Sequence, residues 1–169
     1  MESQQFIIMG RSIGSGPATL LASKRKAGAF ILFSPLTSVK DVASKIPKIG
    51  IVAKFFISSD LFNNAHHIKN IHTPTFIVHG KKDEVVPYSH GQSLHDQSPV
   101  HRDMKHLQSV DNMTHNSFKL MEDFIGPAQA FLIKIGLAGA SDTLSRIDAT
   151  AFIEKYHKFN AAAVNLQLL

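Results

Sequence analysis

The segment Gly10-Arg11-Ser12-Ile13-Gly14 follows the apolar run Phe6-Ile7-Ile8-Met9 without a break and leads straight into a helix-like stretch. An apolar run that closes on glycine-x-serine-x-glycine predicts a strand, a sharp turn and a helix packed back on the strand. Positions two before and two after the serine come so close in such a turn that a Cβ at either is expected to collide, so both want glycine. Ser12 then stands on a strained tip, its hydroxyl out of the sheet and a helix N-terminus beneath it. Gly16-Pro17 extends the pattern as a small first helical turn with one φ already fixed. A phosphate-cradling turn is the other reading of such a junction. It needs Gly-Lys-Ser/Thr at its end, where this chain has Gly16-Pro17-Ala18.

The rest of the chain repeats the alternation of strand and helix. Ala29-Phe30-Ile31-Leu32-Phe33 is continuously apolar, as a strand covered on both faces must be. Thr75 to His79 reads as a third strand and His106 to Val110 as a short fourth. Helices are expected from Ile13 to Lys26, from Val86-Pro87 through Leu94, and from about Phe118 to Ile135. Between Ser38 and Lys69 the pattern is irregular, with Pro47, an apolar Ile49 to Ile57 stretch and Asp60-Leu61-Phe62, and predicts short helices over the mouth of a sheet. Gly136 to Ser141 is a small-residue break. Beyond it Leu144, Ile147, Ala151, Phe152, Tyr156 and Phe159 fall at helical spacing and predict a terminal amphipathic helix. The sum is an α/β fold on a parallel, doubly wound sheet.

Composition narrows the functional classes. The 169 residues contain no cysteine, which excludes disulfides, thiolate metal sites and S-acylation of the chain, and leans towards an intracellular setting. No apolar stretch reaches membrane-spanning length, and Met1-Glu2-Ser3-Gln4-Gln5 lacks the pattern of a secretory leader. The net charge is +5, but the basic residues are scattered apart from Lys24-Arg25-Lys26 and Lys81-Lys82, so nucleic acid is not expected as a partner. No histidine or carboxylate spacing predicts a metal site, and no cofactor is implied.

Open parallel sheets collect function where loops leave the C-terminal ends of strands. Ser12 follows the first strand, Asp83 the third and His115 the fourth, in the chain order nucleophile, acid, base. The chemistry needs these types: a serine hydroxyl attacks once an imidazole takes its proton, and a carboxylate holds that imidazole in the right tautomer. The Ile13 backbone N–H is the expected oxyanion donor. Asp111 rivals Asp83 by its closeness to His115, and Glu84 is a second fallback. Of the ten histidines only His115 is singled out by place. His79, inside a strand, is expected to be a buried and satisfied neighbour, while His66, His67, His72, His90, His95, His101, His106 and His157 carry no such signal.

Phe6 to Pro17, Ile31-Leu32-Phe33-Ser34-Pro35-Leu36, Phe76 to Pro87, Ser89-His90-Gly91 and Thr114-His115-Asn116 together resemble the α/β-hydrolase domain-containing protein 17 group of serine hydrolases, which remove palmitate from proteins. The resemblance covers roughly 6–131. It implies Ser12, Asp83 and His115 as nucleophile, acid and base, and an acylated protein or a lipid ester as substrate. Asp60 with Phe62 is similar to the group's acidic-aromatic segment. The group also carries an acylated N-terminal cysteine cluster, absent here, so the resemblance leaves both a cytoplasmic location and peripheral membrane association open. Such a fold has further strands ahead of the elbow and a loop there that gives a second oxyanion donor, yet five residues precede Phe6. Residues 1–135 are therefore expected to be the C-terminal part of an α/β-hydrolase domain, truncated to about four strands, and 136–169 a helical extension. An open sheet edge follows, with self-association through it as one consequence and lowered activity as another. A catalytically impaired remnant that serves as an interaction protein stays the alternative to an esterase or thioesterase.

Overall fold

The computed structural model describes residues 6–43 and 62–137. Strands β1 (Ile7–Arg11), β2 (Ala29–Phe33), β3 (Thr75–Gly80) and β4 (Lys105–Val110) form one sheet in that order. Every pair is parallel, with Arg11 opposite Phe33, Phe33 opposite Val78 and Gly80 opposite Val110. The strands of this α/β fold thus end along one rim, and the chain leaves that rim at Ser12, Ser34, Lys81 and Asp111.

The helices divide between the two faces. Helix α1 (Ser15–Lys24), a 3-10 turn at Ile68–Asn70 and helix α4 (Ser89–Gln97) cover one. There Ile8, Phe30, Leu32 and Ile77 pack with Ala18, Ala22, Ile68, Ile71 and Leu94. Because side chains alternate along a strand, Ile31, Phe33, Phe76 and Val78 point the other way. They meet Met113, Phe124, Ala128 and Phe131, the last two from helix α5 (Gly126–Lys134). Burial on both faces is why β2 and β3 are buried at every position, and why β2 reads as an unbroken apolar run.

Two short helices, α2 (Val39–Ala43) and α3 (Asn64–His67), lie in the connection from β2 to β3. The expected Pro47, Ile49 to Ile57 and Asp60-Leu61 features lie outside the described residues, as does the terminal helix from Leu144. Among the described residues β1 pairs on one side only. Its alternation is plain: Ile8 is buried against α1, whereas Ile7 and Met9 are 41% and 43% exposed. No helix among the described residues is long and apolar enough to cross a membrane.

Several boundaries differ from expectation for local reasons. The first helix begins at Ser15, after a 3-10 turn at Ser12–Gly14. The helix after β3 begins at Ser89 rather than Val86, because the Val86 amide is bound by the Asp83 side chain and its carbonyl by His79. In place of one helix over 118–135 there is a π-helical turn, Leu120–Ile125, followed by α5. Pro127 lacks the N–H that an unbroken α-helix would donate to Asp123, and its ring crowds that carbonyl, so the preceding turn widens. The chain then stops the helix at Gly136, whose φ is 73°. Leu137 N–H donates to Leu132 O and Gly136 N–H to Ile133 O, each at 3.0 Å, a Schellman ending.

Candidate active site

Ser12 adopts φ 50°, in the left-handed region that costs a non-glycine residue energy. Tight packing on both sides holds it there. A Cβ at Gly10 would lie 2.6 Å from the Ala18 Cβ and 2.8 Å from the Ser15 Cα, so strand and helix approach over a hydrogen atom. Gly14 corrects the symmetric expectation: a Cβ there meets nothing within 4 Å. The helix start is also clamped from its far side. Ser15 Oγ accepts from Asn64 Nδ2 at 2.9 Å and from the Leu36 amide at 3.4 Å, and Gly16 packs directly on the Phe62 ring.

The remaining two residues arrive from loops that are tied to each other. Gly80 lies against the Met113 carbonyl, the Lys82 N–H donates to that same oxygen at 3.2 Å, and the Lys81 N–H donates to Val110 O at 2.9 Å. The Asp83 loop and the His115 loop therefore leave the rim as one layer. Asp83 Oδ1 accepts the amides of Val85 and Val86, at 3.1 and 2.8 Å, which fixes its carboxylate plane.

His115 lies between them. Its Nδ1 is 2.8 and 3.0 Å from the two Asp83 oxygens, and its Nε2 is 2.9 Å from Ser12 Oγ. An ionised carboxylate only accepts, so Nδ1 carries the proton and Nε2 is left to accept from the serine hydroxyl. Asp83 and His115 are both buried, and Ser12 is partly open to solvent. Burial pushes the Asp83 carboxyl upward, but hydrogen bonds from His115, His79 and the Val86 amide outweigh it and hold the group well below the usual carboxylate range. The Ile13 N–H opens the turn beneath Ser12, where geometry gives an amide no intrahelical acceptor, and the Ile13 side chain points into solvent.

The rivals stand elsewhere. Asp111 is on the surface and pairs with Lys81 at 2.8 Å, and Glu84 is exposed. His79 is buried, but not satisfied as expected. Its Nε2 donates to Val86 O at 2.8 Å and lies 3.5 Å from Asp83 Oδ2, while Nδ1 has no hydrogen-bond partner among the described residues. Gly91 lies beside that nitrogen, so close that a Cβ at this position would collide with it. His90 is also buried, with Nδ1 2.7 Å from Thr37 Oγ1, which in turn donates to Asp41. No group of three or more metal-ligating side chains occurs among the described residues.

No protein-family model matches the chain. Over 129 residues, 76% of its length, it is 34% identical to Alpha/beta hydrolase domain-containing protein 17B of Homo sapiens and of Xenopus laevis, covering 42% of each. It is 32% identical to protein 17C of Xenopus tropicalis, covering 39% of it. Among solved structures, acetyl xylan esterase 1 from Thermoanaerobacterium superposes with a TM-score of 0.62 at 16% identity, over 82% of this chain and 47% of that one. The chain has the α/β-hydrolase fold. A monoacylglycerol lipase from Paleococcus ferrophilus superposes at 0.53 and 13% identity, over 80% of this chain and 70% of the lipase. At such identities the two structures speak for the fold alone. The chain spans about two-fifths of the length of the protein 17 relatives it matches.

Three residues of the candidate site carried no readable signal. Arg11 occupies the variable position of the elbow, yet its Nη2 donates to the His115 carbonyl at 2.6 Å. Ser34, next to Ser12 along the rim, has φ 44° and a buried hydroxyl with no hydrogen-bond partner among the described residues. Asn64 is buried under the elbow helix and bonds both Ser15 Oγ and Leu36 O. A sequence shows side chains of suitable type, but Arg11 and Asn64 act through contacts with distant segments.

Proposed function

We propose that the chain is a serine hydrolase that cleaves an ester or thioester through an acyl-enzyme on Ser12. One observation carries this reading: Ser12 Oγ, His115 and Asp83 are linked in series at 2.9 and 2.8 Å. His115 Nε2 removes the hydroxyl proton as Oγ adds to the acyl carbonyl carbon. Asp83 stabilises the imidazolium that forms, its own proton affinity kept low by its hydrogen bonds. The Ile13 N–H donates to the oxyanion; each such donor is worth about 10²–10³ in rate. Collapse expels the alcohol or thiol with the proton from Nε2. Water, deprotonated by the same nitrogen, then frees the acid and restores Ser12.

Long-chain acyl-protein thioesters are the proposed substrate, on the strength of the similarity to the protein 17 relatives. The substrate meets the rim from solvent, and peripheral association with a membrane would present it. The test is release of thiol from a palmitoylated peptide by wild type, Ser12→Ala and His115→Ala. Turnover by wild type that both variants lose supports the reading; equal turnover by all three contradicts it. The half-exposed Ile7 and Met9, on a strand that pairs on one side among the described residues, favour a second role, self-association through β1. It predicts a concentration-dependent mass in sedimentation.

A further inference from the structure

Arg11 has no reacting atom, but it joins the nucleophile's strand to the loop of the base. Its Nη2 donates to the His115 carbonyl at 2.6 Å, across 104 positions of sequence. The guanidinium carbon lies 5.4 Å from the Phe33 ring centroid and 5.7 Å from that of Phe118, and the two rings meet edge-on at 4.8 Å. The fork is thus held between an aromatic wall and a backbone acceptor, an arrangement that suits arginine's planar, weakly hydrated charge better than lysine's.

The other ties on the His115 loop run in different directions. Thr114 and Ser117 bond each other, and the Met113 carbonyl is bound by Lys82. Asp83 holds the imidazole from the β3 side. Arg11 thereby ties β1 to the backbone of this loop, and β1 is the strand that delivers Ser12. We infer that Arg11 is a positioning residue: it pins the backbone of the base to the strand of the nucleophile, and so fixes the distance from Ser12 Oγ to His115 Nε2. This rests on the hydrolase reading for its kinetic consequence and on geometry alone for its structural one.

The physical expectation is a loss in the chemical step with binding spared. A misplacement of about 1 Å between reacting groups costs up to about 10²-fold in rate. The arginine is partly buried and its bond goes to a loop carbonyl rather than to a reacting atom, so affinity for an acyl-mimicking probe is expected to be spared.

The experiment measures fluorophosphonate inactivation of wild type, Arg11→Met and Arg11→Lys, separating the maximal rate kinact from the half-saturating concentration KI. Circular dichroism and melting midpoints confirm that each variant is folded. Arg11→Met is expected to lower kinact by about 10- to 100-fold with KI within about twofold, and Arg11→Lys to recover part of the loss. In parallel, hydrogen exchange of the unmodified proteins reads the loop directly: amides in 111–117 exchange at least about 10-fold faster in Arg11→Met, with β2 and β3 unchanged. Equal kinact in a labelled wild type and a folded Arg11→Met overturns the inference, and so does unchanged exchange in the loop. A wild type that is folded but unlabelled overturns the hydrolase reading instead, and loop exchange still decides the pinning.

Discussion

At the scale of single residues, the elbow shows how differently two glycines of one motif can be used. Gly10 lies against the Ala18 Cβ, the Gly14 carbonyl and the Ser15 Cα, all within 2.8 Å of where its own Cβ would be, and two of these are backbone atoms that cannot step aside. Gly10→Ala is therefore expected to cost more than about 2 kcal/mol in urea unfolding, with labelling at Ser12 lost alongside. Gly14 has open space and an ordinary helical φ of −64°. Gly14→Ala is expected to be neutral, or stabilising by about 0.4–1 kcal/mol through the unfolded chain. Asp83 gives a second contrast. Its carboxyl titrates below its unfolded value of about 3.9, so the stability it contributes is complete above about pH 4 and is lost as pH falls towards the folded value. Over pH 5 to 3, urea midpoints of wild type should fall more steeply than those of Asp83→Asn. At neutral pH the same variant leaves His115 Nδ1 facing an amide, and turnover should drop by about 10⁴-fold, the cost of a wrongly held imidazole.

At the scale of elements, the sequence was most legible where burial was most uniform. The β2 span coincides with the expected strand because both faces are covered and every position had to be apolar. The β1 span extends two residues beyond its apolar run, since Gly10 and Arg11 still pair with Leu32 and Phe33. One of them needs no side chain and the other stacks on rings, so neither announces a strand. The helix after β3 starts late because Asp83 and His79 occupy the Val86 backbone groups, a tertiary demand that overrides the local pattern. Within β1 the two faces should respond in opposite ways. Ile8→Ala removes a buried chain from the α1 face and is expected to cost about 2–5 kcal/mol. Met9→Lys changes a half-exposed position and should stay within about 0.5 kcal/mol of wild type in the same unfolding assay.

At the scale of the whole molecule, one rim gathers residues from three distant stretches of chain, and parallel order is what makes this possible. With β1, β3 and β4 all ending on the same side, the turns that follow them bring positions 12, 83 and 115 within hydrogen-bonding distance. The types and places of these three could be read in the sequence because each follows a recognisable strand. The supporting contacts of Arg11, Asn64 and His79 could not, because each depends on which loops meet across the sheet. The match spans about two-fifths of the length of the protein 17 relatives, and the rim described here lies within it. The most direct measurement is peptide mass spectrometry of the folded protein after reaction with a fluorophosphonate. The account predicts a single covalent adduct on Ser12, abolished in His115→Ala; a folded protein with no adduct, or with one that survives the loss of His115 undiminished, would contradict it.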